Sequence, residues 1–321
     1  MIISILLIVI GMVLVLWGAD RLTDGAVAIA KRMNVPEIVI GLTIVAMGTS
    51  MPEFCVSFAS ALKGTADLAV GNVVGSNIFN AMLIVGAAAM VAPITILKST
   101  VRKDIPFAVF ASLMLLQMGL NYSITRTEAF VLFIMFAVFT IYTVMGAKDN
   151  IEENKNENEK ENENKHNGSK WSAFFYHPAF GVVFGLSALI FGSNIFVDNA
   201  TEIARLMGVS EAVIGLTIVA AGTSLPELAT SIVSARKGQS GIAIGNVIGS
   251  NVFNILFIIG LTGMVTPMHI SDLTTIDFGV MLLSMLLLWL MSFTKYTLSR
   301  WEGAVLAILY IIYVGWLIYN V

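Results

Sequence analysis

Charge is what this chain has least of. Asp, Glu, Lys and Arg make up 12% of its 321 residues, about half the share of a soluble domain. With 57% hydrophobic residues, that excludes an ordinary soluble globule and points to a chain embedded in lipid. The net charge of −3 comes without any basic cluster, so nothing suggests nucleic acid as a partner. The only cysteine, Cys55, excludes an internal disulfide. It lies two residues beyond Glu53 and reads as a packing residue. His166, His177 and His269 are scattered and form no metal-ligand group. Neither HExxH nor a nucleophile elbow occurs. The first apolar run, 2–19, has no basic residue before it and no small-residue cleavage pattern, so it reads as a membrane span.

What remains is a series of apolar runs, each near the ~20 residues that cross a bilayer as a helix. Ten spans are expected: 2–24, 36–62, 67–93, 104–120, 127–146, 174–204, 210–235, 241–267, 276–294 and 302–320. The 17 methionines read as gap fillers in the core. Residues 148–170 are different: low-complexity Asn, Glu and Lys, with almost nothing apolar to bury. Such a stretch is expected to be a disordered linker. A regulatory Ca2+ sensor is the competing reading, but five Lys interleave with the seven acids and no EF-hand spacing is present.

The chain is organised around residues 41–80, which begin GLTIVAMGTSMPEF and end GNVVGSNIFN. Between Glu37 and Lys63 the sole charge is Glu53, in mid-span. A carboxylate there is costly, and it faces a partner or a water-filled cavity. Thr49, Ser50, Ser76, Asn77 and Asn80 supply neutral oxygens around it. Pro52 removes a helix hydrogen bond and is expected to release the carbonyl of Gly48, with those of Ala46 and Met47. Free carbonyls at membrane depth are tolerated only where protein, water or an ion satisfies them.

The same stretch returns at 215–254, offset by 174 without a gap and identical at 25 of 40 positions. Glu53 maps to Glu227, Gly71 to Gly245 and Asn80 to Asn254; upstream, Gly18 matches Gly192 and Asp24 matches Asp198. Two duplicated packing segments would explain the small residues, but not a mid-span Glu in each. Five spans per half is an odd number, so the second half must enter the membrane from the opposite side. That is the inverted-repeat architecture of many secondary transporters. The expected units are therefore 1–147, the linker 148–170, and 171–321, forming one all-α membrane body.

With the N-terminus outside, the inner loops hold Arg21, Lys31, Arg32, Lys98, Arg102, Lys103, Arg236, Lys237, Lys295 and Arg300, plus the five linker Lys. The outer loops hold only Lys63, Arg126 and Arg205. The positive-inside bias thus places both termini outside and the linker in the cytoplasm.

Glu53 and Glu227 are expected to meet across the pseudo-two-fold near the midplane. Alone they would repel, and one would take a proton; a divalent cation neutralises both. The candidate ligands are all oxygen, which suits hard ions. Ca2+ accepts 6–8 such ligands, Mg2+ gives up its waters reluctantly, and Na+ is hard and close to Ca2+ in size.

GTSMPE with GNVVGSNIFN, and GTSLPE with GNVIGSNVFN, resemble the two α-repeats of the calcium/cation antiporter superfamily, and most closely the short prokaryotic sodium/calcium exchangers. The resemblance covers essentially the whole chain. It implies ten helices in two inverted halves of five, with discontinuous helices around four central cation positions. It implies that Ca2+ and Na+ share Glu53 and Glu227, with the Thr49 and Thr223 carbonyls completing the Ca2+ position. Ala46, Thr49 and Ser76 would form a Na+ site with Glu53; Ala220, Thr223 and Ser250 would form another with Glu227. Ser50 and Ser224 belong to the same candidate set, and Asn80 and Asn254 would flank the centre. Some relatives, including K+-dependent exchangers, carry Asp where this chain has Asn254, which argues against K+ co-transport here. No cofactor and no protein partner are implied beyond the transported ions and the bilayer.

Proton-coupled Ca2+ exchange ranks second, because that branch has different acidic motifs. A cation channel could use the same oxygens, but channels usually build pores at oligomer axes. A membrane enzyme could use the two Glu as acid and base and Ser50 or Ser224 as nucleophile, but neither Ser has a His base within a repeated motif.

Overall fold

The computed structural model describes residues 2–155, 178–207, 220–271 and 273–320. Helix α1 spans Ile2–Met33. A bent pair follows, α2 (Glu37–Thr49) and α3 (Met51–Leu62), then α4 (Ala66–Val91), α5 (Thr100–Leu120) and α6 (Arg126–Lys155). The second half holds α7 (Pro178–Leu206), α8 (Ala220–Thr223), α9 (Leu225–Arg236), α10 (Ser240–Val265), α11 (Thr275–Ser292) and α12 (Arg300–Asn320). Among the described residues, eight helices are long and apolar enough to cross a membrane, and the α2–α3 pair makes a ninth. The expected span 210–235 begins outside the described residues; its later part is α8 and α9.

Two expected boundaries shift. Helix α1 runs on past residue 24, because no breaker intervenes before Asn34 (φ 51°) and Pro36. Its charged residues Asp20 and Asp24 meet Lys237 instead of ending the helix. The linker expected at 148–170 starts as helix: α6 continues to Lys155, through Glu and Lys that favour helix, with no Gly or Pro to stop it. Residues 156–177 lie outside the described residues.

Helices α4 and α10 form the centre. In their most apolar windows 78% and 94% of residues are buried, against 22% for α6 and α12, which face outward. Helix α1 packs along α7 through small residues. A Cβ on Gly18 would lie 2.7 Å from the Gly185 carbonyl oxygen, and one on Gly11 would lie 2.8 Å from that of Gly192. Backbones this close require glycine, the usual solution where helices have no hydrophobic drive to associate.

The halves are also stitched together at both ends. Strands β1 (Ile94–Thr95) and β2 (Ser123–Ile124) belong to the first half, β3 (Met268–His269) and β4 (Thr297–Leu298) to the second. β1 pairs antiparallel with β4, and β2 with β3. The flanking bonds mirror each other: Ile96 N–H to the Tyr296 carbonyl at 2.8 Å, and Ile270 N–H to that of Tyr122 at 3.0 Å. Each pair joins loops that the inverted arrangement puts on the same side of the membrane. The fold is an all-α, two-repeat membrane architecture.

Candidate cation site

The site forms where α2 meets α3 and where α8 meets α9. The first pair bends by 48° at Ser50, whose φ of −83° and ψ of 10° leave the helical range. Ser224 does the same, with φ −89° and ψ 9°. A proline in the first turn of each following helix fits there because that position needs no N–H. Ser-x-x-Glu is the spacing of a capping box, in which Ser and Glu cap the helix they begin. Here neither serine caps its own helix. Instead the hydroxyls cross: Ser50 Oγ donates to Glu227 Oε1 at 2.8 Å, and Ser224 Oγ donates to Glu53 Oε1 at 2.9 Å. Each repeat thus holds the other's carboxylate. All four side chains are fully buried or within 1% of it.

The remaining candidates gather around this exchange with less symmetry. Ser76 Oγ lies 3.2 Å from Ser224 Oγ, whereas its counterpart Ser250 has a buried hydroxyl with no hydrogen-bond partner. Thr49 Oγ1 donates across the repeats to Asn246 Oδ1 at 3.1 Å and reaches the Ala46 carbonyl at 3.3 Å. The Ala46 carbonyl also accepts the Ser50 N–H at 3.0 Å, and the Gly48 carbonyl accepts a cap N–H. Of the three carbonyls expected to be released there, those of Ala46 and Gly48 are therefore engaged. Thr223 ends α8, half-buried; Ala220 begins it. Asn80 and Asn254 stand within π-helical turns at matching places, Phe79–Ile84 and Phe253–Ile259. Such turns are rare and often sit at functional sites. Cys55, expected to pack, is exposed: two residues past Glu53 is the far side of a helix.

The sequence marks Asn77 only as a neutral oxygen near Glu53, and leaves Asn72, Asn246 and Asn251 unmarked. Asn77 and Asn251 clasp at the pseudo-axis, each amide donating to the other's backbone carbonyl, at 3.2 and 3.3 Å. Asn254 Nδ2 also donates to Asn77 Oδ1 at 3.1 Å. Asn72 donates to the Glu53 carbonyl at 3.2 Å and to Ser57 Oγ at 2.9 Å. Asn246 repeats this with Glu227 and Ser231, at 3.3 and 3.0 Å. All are paired at the 174-residue offset, and that pairing was the signal available.

Six buried oxygens at the site have no partner among the described residues: Oε2 of Glu53 and of Glu227, Oδ1 of Asn80, Asn251 and Asn254, and Ser250 Oγ. Buried polar atoms without partners are rare and costly. They cluster where two carboxylates meet neutral hydroxyls and amides. Among the described residues no three His, Cys, Asp or Glu side chains group together. A cation here would rest on two carboxylates and neutral oxygens, the donor set of a hard ion.

A sequence model described as sodium/calcium exchanger protein matches residues 3–145 and 177–319, once in each half. The chain belongs to the sodium/calcium exchanger family. It is 33% identical to sodium/calcium exchanger MaX1 of Methanosarcina acetivorans, over 99% of both chains. It is 35% identical to inner membrane protein YrbG of Escherichia coli, covering 88% of this chain and 86% of that one. A solved structure of the sodium-calcium exchanger NCX_Mj, soaked with Na+ and Sr2+, superposes with a TM-score of 0.83 at 29% identity, over 98% of each chain. Members of this family are transporters, not enzymes, and carry Na+ and Ca2+ as cargo without a cofactor. This chain is accordingly a multi-span membrane protein and a Ca2+ antiporter.

Proposed function

We propose that the chain exchanges Na+ for Ca2+ by alternating access, electrogenically and without K+. The supporting observation is the crossed pair Ser50–Glu227 and Ser224–Glu53, with one unpartnered carboxylate oxygen on each Glu. Two ionised Glu carry −2, which one Ca2+ cancels. Because each repeat holds the other's carboxylate, a cation bound between them ties the halves together.

Asn80 and Asn254 are amides and add no charge. Na+ positions beside each Glu, formed with Ala46, Thr49 and Ser76 and with Ala220, Thr223 and Ser250, plus one between the asparagines, accommodate three ions. The Na+ leg then carries one net positive charge more than the Ca2+ leg. That charge couples exchange to voltage at about 2.3 kcal/mol per 100 mV. Both termini lie outside and the linker is cytoplasmic, in keeping with the Lys and Arg bias; inside-negative potential then favours Ca2+ extrusion.

The test is Ca2+ flux in proteoliposomes with Na+ and H+ gradients imposed separately, at K+/valinomycin-clamped potentials. Flux driven by Na+ with a voltage-dependent final gradient is expected. Flux driven by H+ alone would assign the chain to proton-coupled exchange, and indifference to voltage would remove the third Na+.

A further inference from the structure

Helix α9 carries a buried polar stripe that runs from the cation site to the end of the helix. Glu227, Thr230, Ser231 and Ser234 follow at the spacing of one helical face, and all are fully buried. Lys237 stands just past the helix end. Ser231 faces α10, where Asn246 Nδ2 donates to it at 3.0 Å, and the last turn of the stripe faces α1. Thr23 Oγ1, also fully buried, lies 3.0 Å from Ser234 Oγ. Beyond it, Lys237 Nζ is held 2.7 Å from both Asp20 Oδ1 and Asp24 Oδ1, and donates to the Asp20 carbonyl at 3.1 Å. The lysine is only 28% exposed, so its two ion pairs and one hydrogen bond plug the end of the stripe. Thr230 Oγ1 has no partner, although a plain helix interface would have given that place to an apolar residue.

The pseudo-symmetric side is arranged otherwise. The stripe on α3 reads Glu53, Val56, Ser57, Ser60 and Lys63, and Val197 stands in the place of Thr23. Lys63 and Asp198, the counterparts of Lys237 and Asp24, are both exposed and form no ion pair among the described residues. Among the described residues one end carries this plug and the other does not, as alternating access requires of a single conformation.

The geometry points to the α1–α9 stripe as the ion route between the carboxylates and the cytoplasmic face, with Lys237 as its gate. Bound to Asp20 and Asp24, the lysine closes the mouth; released, it opens the stripe to water. Moving α1 against α9 breaks both ion pairs and the hydrogen bond together. The gate rests on the antiport reading and the orientation above.

The test reads water access. In a Cys55→Ala background, a cysteine probe is placed by Ser234→Cys, and in a second protein by Thr230→Cys. Membrane vesicles of either orientation are treated with an impermeant cationic methanethiosulfonate. Lys237→Ala should speed modification about tenfold, the scale set by removing two partly exposed ion pairs at once. The gain should appear only from the cytoplasmic face, and Lys237→Arg should restore the slow rate. Equal rates with and without Lys237 at both probes, or a gain from the outer face, would overturn the gate. Labelling needs no flux, so an exchange assay on the same vesicles tests the antiport reading separately.

Discussion

Glu227→Gln isolates what the second carboxylate does. The amide keeps Oε1 as the acceptor for Ser50 Oγ, now 2.8 Å away, so the crossed hydrogen bond survives. The change falls on Oε2, which is buried without a partner. The site loses one of its two charges. Unit charges 4 Å apart at an effective dielectric of ~20 attract by about 4 kcal/mol, and a divalent ion doubles this. The amide oxygen returns part of that attraction. A net loss of at least ~4 kcal/mol remains, about a thousandfold in Ca2+ affinity. Without Ca2+ the sign reverses, because two buried carboxylates no longer repel. The variant should melt higher than the parent in chelator, and lose most of the ~2.7 kcal/mol that Ca2+ at a hundred times the parent Kd supplies. Calorimetric titration and thermal melts of purified protein measure both effects, and Glu53→Gln should behave alike. Ca2+ affinity within tenfold of the parent, or no rise in melting temperature in chelator, would refute a cage that depends on both charges.

Three further outcomes follow from the same geometry. Ser224→Ala removes a hydroxyl that touches both Glu53 and Ser76; the loss of a charge-assisted bond of ~1.5–3 kcal/mol should weaken Ca2+ binding about ten- to hundredfold, more than Ser50→Ala, as titration would record. Gly185→Ala would put a Cβ 2.6 Å from the Leu22 nitrogen, where backbone cannot yield; a loss of about 1–3 kcal/mol is expected from the overpacking, seen as a lower melting temperature. Deleting residues 157–166, whose composition offers nothing to pack, should leave flux intact, and a lost response to cytoplasmic Ca2+ would show a sensor instead.

The sequence alone was enough for the membrane class, the two repeats and their inversion, and it marked the two glutamates as candidates. These depend on composition, on an offset of 174 and on an odd number of spans, all linear properties of the chain. A mid-span Glu is conspicuous because lipid makes charge expensive, so the signal survives without coordinates. The tertiary structure alone decided which partner each group takes. Ser-x-x-Glu is a local cap by its spacing, yet Ser50 and Ser224 exchange carboxylates, because packing brings the other repeat's Glu within reach of each hydroxyl. Asn72 and Asn246 lie 19 residues from the glutamates whose carbonyls they bind, a separation that no helical period connects. Asp20 and Asp24 read as the end of a span until Lys237, more than 200 residues away, is placed between them. Polarity is written residue by residue, but which polar groups satisfy one another depends on how the segments stack, and only the folded chain specifies that.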